Sequence, residues 1–224
     1  MSQVTYKRLC IIAFLFSLCC VLLIQQDVIK RIDFLFNQWS YSFSNPMTDV
    51  FWRMFTILGD TETLAISSIL MIAFLLWKKK IQEIILYILM MSSGIIITFC
   101  LKIIIQKDRP GDVEYIDFWG FGRDIISFSF PSGHAVKSLL LFGFIIWLIR
   151  KSYPKNQYTI TLTILLLIGI VLCGFGQIFL HEHYLSDVIG GYLVGITIHS
   201  FSLWMYYWWK DRRKQSTLPY RIAK

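Results

Sequence analysis

The sequence predicts an all-α membrane protein, a polytopic bundle of six transmembrane helices with both termini in the cytoplasm. Three observations lead there. Hydrophobic residues make up 56% of the 224-residue chain and aromatic residues 17%, and mean hydropathy is +0.58, well above what the roughly 45–50% apolar content of soluble domains gives. The apolar residues are gathered into long runs, most near the ~20 residues that cross a bilayer as helix. The net charge of +8 is concentrated at the ends of those runs, where positive-inside topology puts it; that placement argues against nucleic acid as a partner. No soluble second domain is visible, so residues 1–224 read as one domain. Cys10, Cys19, Cys20, Cys100 and Cys173 lie inside apolar runs without metal-ligand spacing. They read as small buried hydrophobes, and no metal or other cofactor is expected.

Span one covers about Leu9–Ile24 after Lys7-Arg8, and no small-x-small site follows it, so it reads as an uncleaved helix. Between Gln25 and Asp60, Trp39, Tyr41, Phe51 and Trp52 alternate with polar residues, the pattern of a segment at the membrane interface and outside the bilayer core. Span two runs from about Thr63 to Trp77 and stops at Lys78–Lys80; its shortness moves its start toward Phe55. Span three is about Ile84–Ile105. Gln106–Phe130 is then polar, charged and broken by Gly and Pro, an extramembrane loop. Span four goes from His134 to Ile149 and stops at Arg150–Lys155, span five covers about Tyr158–Leu180, and span six runs from Val188 to Trp209 before Lys210–Lys214. In a six-span alternation the clusters Lys7-Arg8, Lys78–Lys80, Arg150–Lys155 and Lys210–Lys214 all fall on one side. The loop after span three and the turn containing His183 then share the other. Gly191 and Gly195 have the small-xxx-small spacing that admits a neighbouring helix, or are ordinary glycines of a membrane helix.

That shared outer face collects the titratable residues. His183 and Asp187 are four apart, so a helix starting there puts both on one face, with the carboxylate accepting the Nδ1 proton and Nε2 left to attack. A pair that merely caps a helix is the other reading of that stretch. Lys102 and Arg109 are seven residues apart, nearly the same helical face, with Pro110 ending the helix. Two such cations suit a phosphate, or else they snorkel. Apolar neighbours on both sides of Lys102 favour an anion meeting it. In Pro131-Ser132-Gly133-His134, Ser132 is placed to cap span four, its first amides to face an anion, and His134 to give a proton to a leaving group. An incidental His after a capping Ser is the plain alternative.

Lys102-x6-Arg109-Pro110, Pro131-Ser-Gly-His134 and His183-x3-Asp187 together resemble the three-part signature of the type 2 phosphatidic acid phosphatase (PAP2) superfamily, which includes lipid phosphate phosphatases and vanadium haloperoxidases. The match spans roughly residues 102–195. The resemblance implies that Lys102, Arg109, Ser132 and Gly133 hold a phosphate, His183 attacks phosphorus, Asp187 orients His183, and His134 protonates the leaving oxygen. The family's third motif usually begins Ser-Arg, where this chain has Gly176-Gln177. Gln177 can donate a hydrogen bond to phosphate but brings no charge, and removing one charge-assisted hydrogen bond from the transition state costs on the order of 10²–10³ in rate. Arg123, Lys107 and His181 are the candidates to restore it. The resulting expectation is a metal-independent membrane phosphatase working through a phosphohistidine at the outer face of a plasma membrane. Its substrate would be a lipid phosphate or diphosphate such as undecaprenyl diphosphate, phosphatidylglycerol phosphate, phosphatidic acid or lipid A 1-phosphate. Transfer to a second lipid, and a non-catalytic lipid-binding relative suggested by Gln177, are the alternatives.

Overall fold

A computed structural model describes residues 3–111, 115–116 and 125–216. Its helices are α1 (Gln3–Leu23), α2 (Asp27–Tyr41), α3 (Pro46–Thr56), α4 (Thr61–Trp77), α5 (Ile81–Ile105), α6 (Gly133–Ser152), α7 (Gln157–Phe179) and α8 (Leu185–Ser216), with a 3-10 turn at Ile57–Gly59. The only strands among the described residues are a two-residue ladder, Tyr115–Ile116 with Ile125–Ile126. Five helices (α1, α5, α6, α7 and α8) are long and apolar enough to cross a membrane. In place of the sixth expected span is a bent helix pair, Pro46–Gly59 and Thr61–Trp77, which is long and apolar enough only when taken together and is bent by 45°. The blurred start of span two has this cause, since α4 by itself is 17 residues and the polar run Gly59–Thr63 sits at the break.

α6 occupies the centre, packed against α5, α7 and α8. Tyr87, Met90, Leu140, Phe144 and Leu203 form the middle of that core. Gly191 has the close-approach role its spacing suggests: a Cβ there would stand 2.7 Å from the Ser132 carbonyl and 2.9 Å from Ala135 Cβ, so only glycine lets α8 meet the first turn of α6. Of the cysteines, Cys173 alone is buried, whereas Cys19 and Cys100 are exposed on the apolar outside of the bundle. Burial fails for those because a membrane protein can turn apolar residues outward as readily as inward.

At one end of the bundle, Tyr6 of α1 stacks on Tyr207 of α8 at 5.6 Å. Lys80 reaches Ser152 at 2.9 Å, and Lys151 bridges Glu83 at 2.5 Å. These contacts gather the basic clusters together. At the opposite end the stretch expected at the membrane interface is ordered into α2 and α3, which lie against α7, with α2 also touching α8. Asn45 caps α3 through Met47 and Thr48. Phe179, the last residue of α7, packs between Trp39, at 5.7 Å, and Trp52, stacked at 4.6 Å. This aromatic contact ties α2 and α3 to the helix that leads into the His183 turn.

Candidate active site

The site forms where three connections meet: the α5–α6 loop, the α7–α8 turn, and the short helices α2 and α3 with the start of α4. The α7–α8 turn is made tight by His181, whose left-handed backbone (φ 58°) reverses the chain so that Glu182 and His183 both donate N–H groups to the Gln177 carbonyl, at 3.0 and 3.1 Å. His183 therefore precedes α8 rather than lying on it, and the expectation of one helical face for His183 and Asp187 needs correcting. Nδ1 of His183 is 3.8 Å from Asp187 Oδ2, too far for a hydrogen bond. Ser129 fills the gap. Its hydroxyl lies 3.2 Å from Nδ1 and donates to Asp187 Oδ2 at 2.5 Å, so imidazole, hydroxyl and carboxylate form a chain. Asp187 also caps α8 by accepting from the Tyr184 amide at 2.8 Å.

All members of this chain are buried. Burial first, and then the charges of Lys102 and Arg109, push the His183 pKa down to about 3 against the pull of Asp187, keeping the imidazole neutral. The Asp187 carboxylate is balanced by Lys107, whose ammonium is 2.8 Å from Asp187 Oδ1 and 2.7 Å from Asp33 Oδ2. Ser186 completes the knot, bonded to both Asp33 and Lys107. Lys107 is thus committed to two carboxylates and is not positioned to replace the motif arginine. His181 is not either: burial lowers its pKa, and its ring stacks on Tyr41 at 3.5 Å.

Lys102 and Arg109 do not share a helical face, because α5 ends at Ile105 with Gln106 in a left-handed conformation. They converge all the same. Lys102 Nζ donates to the Phe128 carbonyl, while Arg109 donates to the Ser127 carbonyl at 2.8 Å, the Ser127 hydroxyl at 2.9 Å and the Glu182 carbonyl at 3.2 Å. Both cations therefore flank the segment that carries Ser129 and leads into α6. Ser132 caps α6 as expected, accepting from the Ala135 amide at 3.5 Å, and its own amide donates to the Asp187 carbonyl at 3.0 Å. Gly133 has no atom within 4 Å of where a Cβ would be, so the helix start is open at that point. His134 is paired, Nε2 lying 2.8 Å from Asp60 Oδ1, and Gly59 makes room for its ring, since a Cβ there would come within 2.6 Å of His134 Cδ2.

Gln177 is 1% exposed, and neither its amide nitrogen nor its oxygen has a hydrogen-bond partner among the described residues. Arg123 lies outside the described residues. Sequence reasoning missed Asp33, Asp60 and Ser129. Only Ser129 left a local signal, the alternation Ser127-Phe128-Ser129-Phe130, which in extended chain places both hydroxyls on one side.

A family model described as the PAP2 superfamily matches residues 83–214. Phosphatidylglycerophosphatase B of Bacillus subtilis (strain 168) is 24% identical over 186 residues, covering 83% of this chain and 88% of its own length. Among solved structures, a transmembrane PAP2-type phosphatidylglycerolphosphate phosphatase from Bacillus subtilis aligns with TM-score 0.75 at 20% identity, over 95% of this chain and 98% of that one. LpxE of Aquifex aeolicus aligns with TM-score 0.55 at 22% identity, over 75% and 92%.

Proposed function

The chain belongs to the PAP2 superfamily, and from that premise we propose that it is an integral membrane lipid phosphatase, one domain that removes the terminal phosphate of a lipid phosphate or diphosphate through a phosphohistidine on His183. The observation that carries this reading is the buried chain His183–Ser129–Asp187. With Ser129 giving its proton to Asp187, it accepts from Nδ1–H, which fixes the tautomer and leaves the Nε2 lone pair for phosphorus. His183 attacks, the bond from phosphorus to the leaving oxygen breaks, and His134 supplies the proton that makes the leaving group an alcohol or a protonated phosphate. Water then attacks the phosphohistidine, His134 takes its proton, and His183 leaves with inorganic phosphate released. Lys102, Arg109, Gln177, the Ser132 hydroxyl and the Gly133 amide hold the phosphoryl oxygens, doing with cations and hydrogen-bond donors what a metal does in other phosphatases.

Phosphate release from a panel containing phosphatidylglycerol phosphate, phosphatidic acid, undecaprenyl diphosphate and lipid A 1-phosphate, by purified protein in detergent, tests the reading. Turnover by wild type and none by His183→Ala is the expected result. Release without any lipid-phosphate product would indicate transfer to water, and appearance of phosphate on an added lipid would indicate a phosphotransferase. Gln177 favours one further reading, a lipid-binding relative without turnover, and binding without release from any lipid would establish it.

The gathered basic clusters at the far end of the bundle support cytoplasmic termini and a site facing outward from a plasma membrane. In a background without native cysteines, Asp108→Cys should react with an impermeant reagent on intact cells. Reaction only after permeabilisation would reverse the topology.

A further inference from the structure

Lys137 has no part in the chemistry above. It follows His134 by three residues on α6, so the two side chains leave one face of the helix about 4.5 Å apart along its axis. Both reach the start of α4: His134 Nε2 is 2.8 Å from Asp60 Oδ1, and Lys137 Nζ is 3.4 Å from the Thr61 hydroxyl. The lysine contact is long for an N–H···O bond. Among the described residues Lys137 joins no ion pair, and Asp60 and Glu62 act on its charge only from farther off. An ammonium in a helix of this apolarity is costly without an anion, and nothing among the described residues supplies one at bonding distance.

The reaction geometry says where such an anion would come from. In-line displacement sets the leaving oxygen opposite the attacking nitrogen of His183, and His134 meets that oxygen. Whatever is attached beyond the leaving oxygen must therefore lie past His134, toward the α4–α6 side. From Gly133, α6 runs away from the polar end into the apolar part of the bundle, the direction a lipid's tails must take. Lys137 is the next cation along that path.

We propose that Lys137 forms a second anion subsite, which receives a phosphate carried by the leaving group. The favoured substrates are then lipids with two phosphates in series, either a diphosphate or a phosphomonoester joined through a short alcohol to a phosphodiester. A lipid with a single phosphate leaves the subsite unfilled. The proposal rests on the phosphatase reading and narrows its substrate class.

The test compares kcat/KM of the full-length protein in detergent for a lipid diphosphate, phosphatidylglycerol phosphate and phosphatidic acid, using Lys137→Met, which keeps the apolar stem, and Lys137→Arg, which keeps the charge. Lys137→Met should lower the preference for the two-phosphate lipids over phosphatidic acid by tenfold or more, chiefly through KM, and Lys137→Arg should retain most of it. A fall confined to the diphosphate would assign the subsite to diphosphates, and a fall confined to phosphatidylglycerol phosphate would assign it to phosphodiesters. A preference ratio unchanged in Lys137→Met would overturn the proposal. A parallel binding measurement in the His183→Ala background separates this from the parent reading: the melting-temperature rise given by a short-chain lipid diphosphate should shrink in Lys137→Met while that given by a lipid monophosphate persists. If wild type released no phosphate from any lipid, the phosphatase reading would fall. Equal loss of both melting shifts, or loss of neither, would still reject the subsite.

Discussion

Replacing Gln177 by leucine should make the protein more stable and much less active. The side chain is 1% exposed with both polar atoms unpartnered among the described residues. A buried donor or acceptor left without a partner costs ~1–3 kcal/mol. Leucine removes both at similar volume, against a packing mismatch of about 1 kcal/mol, so a net gain on the order of 1–5 kcal/mol is expected. For a chain of this length that is a rise in melting temperature of about 2 °C at the low end and well over that at the high end, at about 2–4 °C per kcal/mol. If the amide faces the phosphoryl oxygens, the same change removes one transition-state donor, worth about 10²–10³ in kcat. Melting in detergent and phosphate release from the same preparations read both effects. Higher stability with undiminished kcat would refute a phosphate-binding role for Gln177, and lower stability would mean that the amide has a partner in the resting protein.

Gln177→Arg sharpens the question. A guanidinium at a position already closed to solvent has no carboxylate to meet, so the variant should melt lower than wild type and recover more than wild type when inorganic phosphate is added. Lys107 and His181 no longer stand as replacements for the absent arginine, which leaves Arg123 of the three candidates. A severe loss in Arg123→Ala would show that it compensates; a silent Arg123→Ala together with a gain of activity in Gln177→Arg would show that nothing does.

Three other outcomes follow from the geometry. Ser129→Ala should lower kcat about tenfold or more with little change in KM, because it breaks the chain from Nδ1 to Asp187 without touching the phosphate cations, and Asp187→Asn should be milder than His183→Ala; a wild-type rate in Ser129→Ala would mean that His183 and Asp187 close up directly. His183→Ala should abolish turnover of every substrate, whereas His134→Ala should retain more activity on aryl phosphates and diphosphates than on alkyl monoesters, and equal residual rates across leaving groups would contradict the acid role. Lys107→Met leaves Asp33 and Asp187 as buried carboxylates without their counter-ion and should cost about 3–5 kcal/mol of stability, with Asp33→Asn in the same chain recovering part of it; full stability of Lys107→Met in a melting assay would deny the ion pair any structural weight.

The parts of this molecule legible in sequence were those written locally. Long apolar runs with basic ends are read from any window, so five of the spans stand close to where the pattern puts them. Span two was blurred because two helices meet there at a 45° bend, and the polar run Gly59–Thr63 at the bend reads as a span's end rather than its middle. The histidines, Asp187 and the capping serine were visible because each motif brings its chemistry within a few positions. Asp33 was not. It meets Ser186 across 153 positions, and a lone carboxylate on a short amphipathic helix looks the same whether it faces water or a buried lysine. Arg109 was placed on the wrong surface for a local reason: Gln106 takes a left-handed conformation that glutamine does not advertise.

Asp33 also bears on why Gln177 is tolerable. Lys107 lies between two carboxylates at nearly equal distance, 2.7 and 2.8 Å. Without Asp33, its positive charge would offset Asp187, and the field at His183 would come from Lys102 and Arg109 with nothing set against them. With Asp33 present, Lys107 is shared, and in the proposed mechanism Asp187 keeps net negative charge to give through Ser129 to the imidazole as attack makes the ring positive. The described residues around His183 then carry Lys102 and Arg109 against the one carboxylate left uncompensated, a small positive excess that a phosphate dianion reverses. An arginine at Gln177 would enlarge that excess in the empty site, where His183 is already held neutral by burial and by the same two cations. The neutral amide spares the empty site that repulsion, and under the proposed function a bound phosphate would provide its partner.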